Sequence, residues 1–282
     1  FGLVSKLAER REFVETVRGI YQNEIRFDWK TRKEDCFTDA SSVKLLADRK
    51  RPLGATRLET YGACPFRYFL AHEVRLDEPD EELSLRTIGT IFHTALEHFF
   101  ERKGHECDLN KGRQLMKESF EKAFKEEPLL SDRPYRLELK KCEMEEILDQ
   151  FLVFIFEELK NAKLKPHLFE YEVGNEKSPF ELTGSDNKDE HILVSGFIDR
   201  IDVDPEKRFA IIVDYKLSKH VKPKDTELGL VLQLPLYALA VEKNMNVKVI
   251  GAYLFRLSNL KTGESVKWGF FSEEGLKDAG FG

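Results

Sequence analysis

Several charged and polar residues of this chain lie where a charge is costly or a partner is needed. Asp199 lies near the middle of the apolar run Ile192 to Val203, and Asp214-Tyr215-Lys216 ends the run Phe209 to Leu217. An ionised carboxylate inside an apolar strand persists only if it is paired, hydrogen-bonded or bound to a cation. Successive side chains of a strand alternate faces, so Asp214 and Lys216 share one. One of them can then ligate a metal while the other reaches a water or phosphate beside it, the parts that metal-assisted hydrolysis requires. The plain alternative for Asp-x-Lys is a cross-strand ion pair at a sheet edge. His93, among apolar neighbours, reads in isolation as a core histidine, and Gln233 and Tyr237, at i and i+4, as polar positions on one helix face. His93 and His98 do not form a zinc pair: a spacing of five puts them on different faces, and no His-Glu-x-x-His occurs.

These residues depend on the elements that carry them. In Ser84 to Phe100, apolar residues at 88, 91, 92, 95, 96, 99 and 100 predict a well-buried helix bearing His93. Residues 110–165 continue as charged, periodic helices with Phe120, Phe124, Met144, Leu148, Phe151 and Ile155 facing inward. The period then changes. Leu168 to Val173, Ile192 to Val203 and Phe209 to Leu217 are rich in β-branched and aromatic residues and read as strands. Asp204-Pro-Glu-Lys207 is short enough to close an antiparallel hairpin between the second and third. Glu227 to Glu242 returns to helical spacing, with Pro235 in its first turn, and Val247 to Leu257 to strand. Helices followed by β-β-β-α-β make an α/β core with a helical elaboration.

Upstream, Leu3 to about Asn23 has the spacing of an amphipathic helix, and residues 24–52 read as a linker. Thr56 can cap a helix through Leu58, Tyr61 and Ala63, and Pro65 can begin a turn carrying Phe66, Tyr68 and Phe69. The expected organisation is a helical segment and linker over 1–52, a remnant of a larger protein, and one domain over 53–282 with a helical insertion at about 101–165.

With 282 residues, 41% of them hydrophobic and 22 of them Phe, the chain can bury a large core, which excludes wholesale disorder. No apolar run approaches the ~20 residues a membrane span needs. The start shows neither a secretory signal nor an initiating Met, so a cytoplasmic fragment of something longer is expected. Cys36, Cys64, Cys107 and Cys142 form no Cys-x-x-Cys pair and read as reduced thiols. The net charge of −6 is uneven: +4 over residues 1–75, −11 over 76–190 and +1 over 191–282. There is no basic footprint, so a nucleic-acid partner has to be argued from a site.

Taken together, Leu58-Glu-Thr-Tyr-Gly-Ala-Cys-Pro-Phe-Arg-Tyr-Phe69, Ile88-Gly-Thr-Ile-Phe-His93, Gly196-Phe-Ile-Asp-Arg-Ile-Asp202, Asp214-Tyr-Lys216 and Gln233-Leu-Pro-Leu-Tyr237 resemble one family in their order. It is the RecB-type branch of the PD-(D/E)XK nucleases, and more closely the C-terminal nuclease domain of AddB-type helicase-nuclease subunits. The resemblance implies a restriction-endonuclease-like mixed sheet flanked by helices. It implies Mg²⁺ or Mn²⁺ held by His93, Asp199, Asp214 and the backbone carbonyl of Tyr215. Lys216 would orient or activate the attacking water, with Gln233 and Tyr237 positioning the lysine and the nucleic-acid backbone. The family often carries a further acid on the preceding strand, for which Glu170 is the best match and Glu172 a rival. Cys64 matches the first of four cysteines that hold a [4Fe–4S] cluster in such proteins. The other three follow the nuclease core there and have no counterpart here, so no cluster is expected in this chain and Cys64 is expected to be buried among Tyr61, Phe66 and Tyr68. The implied activity is a metal-dependent deoxyribonuclease, an exonuclease in a helicase-nuclease that serves double-strand-break repair and recombination. Its partners would be DNA and a helicase domain or subunit, with no membrane. The alternatives are a catalytically inactive module of the same fold that guides DNA strands, and a helical scaffold that binds proteins through its acidic region.

Overall fold

Alternating apolar residues over 209–216 and 248–256 build the middle of one mixed sheet. The computed structural model describes residues 52–74, 84–127, 133–183, 191–206, 208–217, 225, 231–262 and 264–278. Their strands are β1 (Leu53–Gly54), β2 (Lys165–Val173), β3 (Glu181–Thr183), β4 (His191–Val203), β5 (Phe209–Lys216), β6 (Lys248–Arg256) and β7 (Lys267–Phe271). The long strand β4 pairs antiparallel with β2, β3 and β5, and parallel with β1. β5 then pairs parallel with β6, and β6 antiparallel with β7. β5 is therefore an interior strand. Asp214 and Lys216 do form an ion pair, but within one strand rather than across a sheet edge.

Helices cover both faces. On one lie α3 (Leu85–Glu101), α4 (Leu109–Glu126) and α5 (Pro134–Lys160). Phe92, Phe99, Phe100, Phe120 and Phe151 from these helices pack on Val213, Tyr215 and Phe255 of the sheet. α4 and α5 are the helical elaboration. On the other face α6 (Gln233–Met245) lays Leu234, Tyr237, Ala240 and Val241 over Ile198, Ile201, Ile212 and Leu254. The short helices α1 (Ala55–Ala63), α2 (Pro65–Tyr68), α7 (Asn259–Thr262) and α8 (Glu273–Asp278) lie outside this framework. A mixed central sheet flanked by helices is the architecture that the family resemblance implies, and the order of periods predicts its α/β character.

The hairpin forms as expected: Asp204 Oδ1 accepts the N–H groups of Arg208 and Phe209 at 2.6 and 2.7 Å, which fixes the turn between β4 and β5. Other details differ. α1 is preceded by Gly54, with no side-chain cap, and Thr56 lies inside the helix. The described part of the expected 227–242 helix begins at Gln233, and residues 226–230 lie outside the described set. Cys64 is exposed rather than buried. It sits in extended backbone between α1 and α2, φ −165°, because Pro65 cannot continue α1 and starts a new helix at its own first position. Tyr61 and Phe66 on either side of it are exposed as well. The helix expected over 3–23 and the linker over 24–52 lie outside the described residues, apart from Pro52. Among the described residues no helix is long and apolar enough to cross a membrane.

Candidate active site

The helix α3 is built to hold one face down and one face open. Ser84 caps it, its Oγ accepting the Arg86 N–H at 3.3 Å. The apolar stripe Ile88, Ile91, Phe92, Ala95, Leu96, Phe99 and Phe100 is buried. On the opposite side Arg86, Gly89, Thr90 and His93 line a cleft of about 340 Å³, whose far wall is Tyr215, Lys216 and Leu217 at the end of β5.

The β4–β5 ladder stops beside this cleft, at the pair Arg200↔Val213. Beyond that pair the Asp199 carboxylate replaces a backbone acceptor: its Oδ2 takes the Tyr215 N–H at 2.5 Å. In an extended strand the N–H and C=O of one residue leave on the same side, so the Tyr215 carbonyl is directed to this gap too. Glu170 on β2 lies opposite Asp199, between the pairs Phe169↔Arg200 and Tyr171↔Ile198. Its φ of 42° is in the left-handed region, a strained conformation for a side chain of this size.

These distortions gather three groups. His93 Nδ1 stands 3.3 Å from Asp199 Oδ2 and 4.0 Å from Glu170 Oε1, and the three ligand atoms all lie within 4.8 Å of one another. Glu172 is exposed and accepts from Asn175 Nδ2 at 2.9 Å. Of the two competing acids, Glu170 is the one that joins the group.

Asp214 is adjacent and fully buried. Gln233 Nε2 donates to its Oδ1 at 2.6 Å. Lys216 Nζ forms an ion pair with Oδ2 at 2.6 Å. Tyr237 lies one turn along α6 from Gln233, against Gly196 of β4, where a Cβ would come within 2.5 Å of the Tyr237 hydroxyl. Gln233 itself is held by a residue that the sequence does not single out: Glu59 Oε1 on α1 accepts the Leu232 and Gln233 N–H groups at 2.8 and 3.1 Å. It caps α6, whose own N-cap, Leu232, has no acceptor side chain. A leucine at a helix start was the only trace of this in the sequence.

A second unforeseen network lies beneath β5. Arg200 is buried and grips Asp202 with two bonds of 2.7 and 2.8 Å, while its third nitrogen donates to the Tyr215 hydroxyl at 2.7 Å. Its guanidinium also lies over the Phe100 ring, 5.4 Å from the centroid. The signal was present: two opposite charges two apart within an apolar strand require each other.

Charge crowding shapes the site. Burial, and then the nearby Asp199 carboxylate, push Glu170 up to about 7. The same two causes push Asp214 up to about 6, although Lys216 works against them. Burial opposes the charge on Lys216, yet Asp214 and Asp199 outweigh it and hold its ammonium protonated beyond the ordinary range. His93 is raised for a like reason, burial being overcome by Asp199. Burial pushes Tyr237 up to about 12, so its hydroxyl stays neutral. Three carboxylates around a half-buried cleft repel one another and call for a cation. One imidazole and hard carboxylate oxygens fit Mg²⁺ or Mn²⁺, and no thiolate is among them.

Comparison with known proteins places this arrangement. The family model described as the PD-(D/E)XK nuclease superfamily matches residues 52–279. Curated relatives, each named as a subunit of an ATP-dependent helicase/deoxyribonuclease, are similar over most of the chain. The one from Exiguobacterium sibiricum is 28% identical over 224 residues, covering 72% of this chain and 19% of the relative. The one from Moorella thermoacetica is 29% identical over 215 residues, covering 69% and 18%. The one from Desulforamulus reducens is 30% identical over 197 residues, covering 64% and 17%. The chain spans about a fifth of the length of these relatives.

Proposed function

The chain belongs to the PD-(D/E)XK nuclease superfamily, and from that premise we propose that it is a divalent-metal-dependent deoxyribonuclease domain that hydrolyses phosphodiester bonds. The observation that carries the reading is the convergence of His93, Glu170 and Asp199 within 4.8 Å, beside a buried Asp214 that is tied to Lys216 and Gln233. Without a bound cation, a phosphate entering this cleft would meet the carboxylates of Glu170, Asp199 and Asp214, which Lys216 offsets only in part. His93, Glu170, Asp199 and Asp214, with the Tyr215 carbonyl, would hold Mg²⁺ or Mn²⁺. Such an ion supplies charge neutralisation at the phosphate and a water of lowered pKa.

The chain's own residues do the rest. Lys216 is a fixed cation at the mouth of the site; its ammonium orients the attacking water and offsets charge that grows on the phosphate. Gln233 keeps Asp214 turned toward the centre by holding Oδ1, while Oδ2 faces Lys216. Tyr237, neutral and pressed on Gly196, fixes the turn of α6 from which Gln233 projects and helps position the nucleic-acid backbone.

Domain organisation follows the same reading. Residues 53–282 form the nuclease domain and 1–52 a segment of a longer protein, and the relatives' names support a place within a helicase-nuclease. Its partners would be DNA and a helicase domain or subunit, its setting double-strand-break repair and recombination in the cytoplasm, and its mode of cutting exonucleolytic. The test is digestion of end-labelled linear single- and double-stranded DNA with Mg²⁺, Mn²⁺ or EDTA, with Asp214→Ala and Lys216→Ala as controls. Metal-dependent cutting abolished by both substitutions is the expected result. DNA binding without cutting, under any of these metals, would replace the enzyme by a strand-guiding module.

A further inference from the structure

Gly89 has no packing reason to be glycine. It lies inside α3, where glycine is a poorer helix former than any residue but proline, and a Cβ built on it meets no atom of the described residues within 4 Å. The glycines of the neighbouring helical segments differ: a Cβ on Gly104 would strike the Phe99 ring at 2.2 Å and one on Gly112 the Phe156 ring at 2.7 Å. Among the described residues the space above Gly89 is empty, and it opens on the cleft. Arg86, Gly89, Thr90 and His93, at i, i+3, i+4 and i+7, form one stripe along α3 that leads from an exposed guanidinium to the His93–Asp199 contact. Lys216 stands on the facing wall.

We propose that the sugar-phosphate backbone of the DNA strand lies along this stripe, touching α3 at Gly89, with a phosphate held by Arg86 on the way to His93 and Lys216. This rests on the nuclease reading and adds to it the path of the substrate. A glycine lets a ligand backbone approach a helix more closely than any other residue does. Arg86 offers the planar, bidentate donor set that suits phosphate. The inference makes an unusual demand: filling the space should strengthen the fold and weaken the function.

The experiment compares wild type, Gly89→Ala, Gly89→Val and Arg86→Ala by thermal unfolding, by anisotropy of a labelled DNA strand in Ca²⁺, and by cleavage in Mg²⁺. Gly89→Ala is expected to melt about 2–4 °C higher than wild type. Gly89→Val is expected to melt no lower than wild type, to bind DNA at least ~10-fold more weakly and to cut it correspondingly more slowly. Arg86→Ala is expected to weaken binding and to reduce the salt slope by about one. If Gly89→Val binds and cuts like wild type, or if Gly89→Ala melts lower, the substrate path is wrong while the nuclease reading stands. If wild type neither binds nor cuts DNA, the nuclease reading fails and the path with it.

Discussion

Lys216 is held as an ammonium by Asp214 and Asp199 despite its burial, so its task is to present a positive charge and N–H donors rather than to take a proton. Lys216→Ala is therefore expected to lower kcat by about 10²-fold or more while the Kd for DNA in Ca²⁺ changes by less than ~3-fold. A loss that appears mainly in Kd would assign Lys216 to binding instead. Below it, Arg200 places two bonds on Asp202 and one on the Tyr215 hydroxyl. Tyr215→Phe removes one acceptor from a buried guanidinium and is expected to cost about 1–3 kcal/mol in urea unfolding. Asp202→Ala strands the charge and is expected to cost about 3–5 kcal/mol; equal small losses for both would show that water replaces the missing partners. At this scale much of the site was legible, because Asp199, Asp214 and Lys216 are charges in apolar strands and have to be explained. Glu170 was set ahead of Glu172 by the resemblance and not by the residues themselves, since the left-handed backbone angle at Glu170 is announced by no residue type.

Among the elements, α6 is the one whose start is made elsewhere in the chain. Glu59→Ala removes the acceptor for the Leu232 and Gln233 N–H groups and is expected to destabilise the fold by about 1 kcal/mol. It also releases the turn that holds Gln233 on Asp214, so kcat is expected to fall while the KM for DNA is unchanged. Glu59→Gln, which keeps an acceptor oxygen, is expected to recover most of both. If Glu59→Ala lost stability but kept full kcat, the cap would be structural alone. The hairpin of β4 and β5 was legible because both strands are long, apolar and joined by turn residues. The strands β3 and β7 were not: Glu181–Thr183 has three residues and Lys267–Phe271 five, too few to establish an alternation. The exposure of Cys64 was also hidden, since an aromatic neighbourhood in sequence says nothing about which way those rings turn.

For the molecule as a whole, crowded carboxylates tie folding to pH and to metal. Glu170 at about 7 and Asp214 at about 6, against ordinary values of 4.5 and 3.8, keep their protons in the folded chain after the unfolded chain has released them. Their support for the metal-free fold is thus complete below about pH 4 and is lost as the pH rises through 6 to 7. The melting temperature of the metal-free protein is expected to fall over that range relative to Glu170→Gln. Mn²⁺ is expected to raise it at pH 7.5 and to do little at pH 5, because ligation needs the ionised carboxylates. A melting temperature indifferent to both would remove the crowding. The bond from Glu59 to Leu232 and Gln233 joins positions separated by 173 and 174 residues. During synthesis at ~5–20 residues per second, roughly 9–35 s separate the appearance of the acceptor from that of the helix it caps. Asp214 itself precedes Gln233 by 19 residues, roughly 1–4 s at that rate, so a growing chain next to its own ribosome carries the cap long before it carries any part of the cutting site that the cap serves.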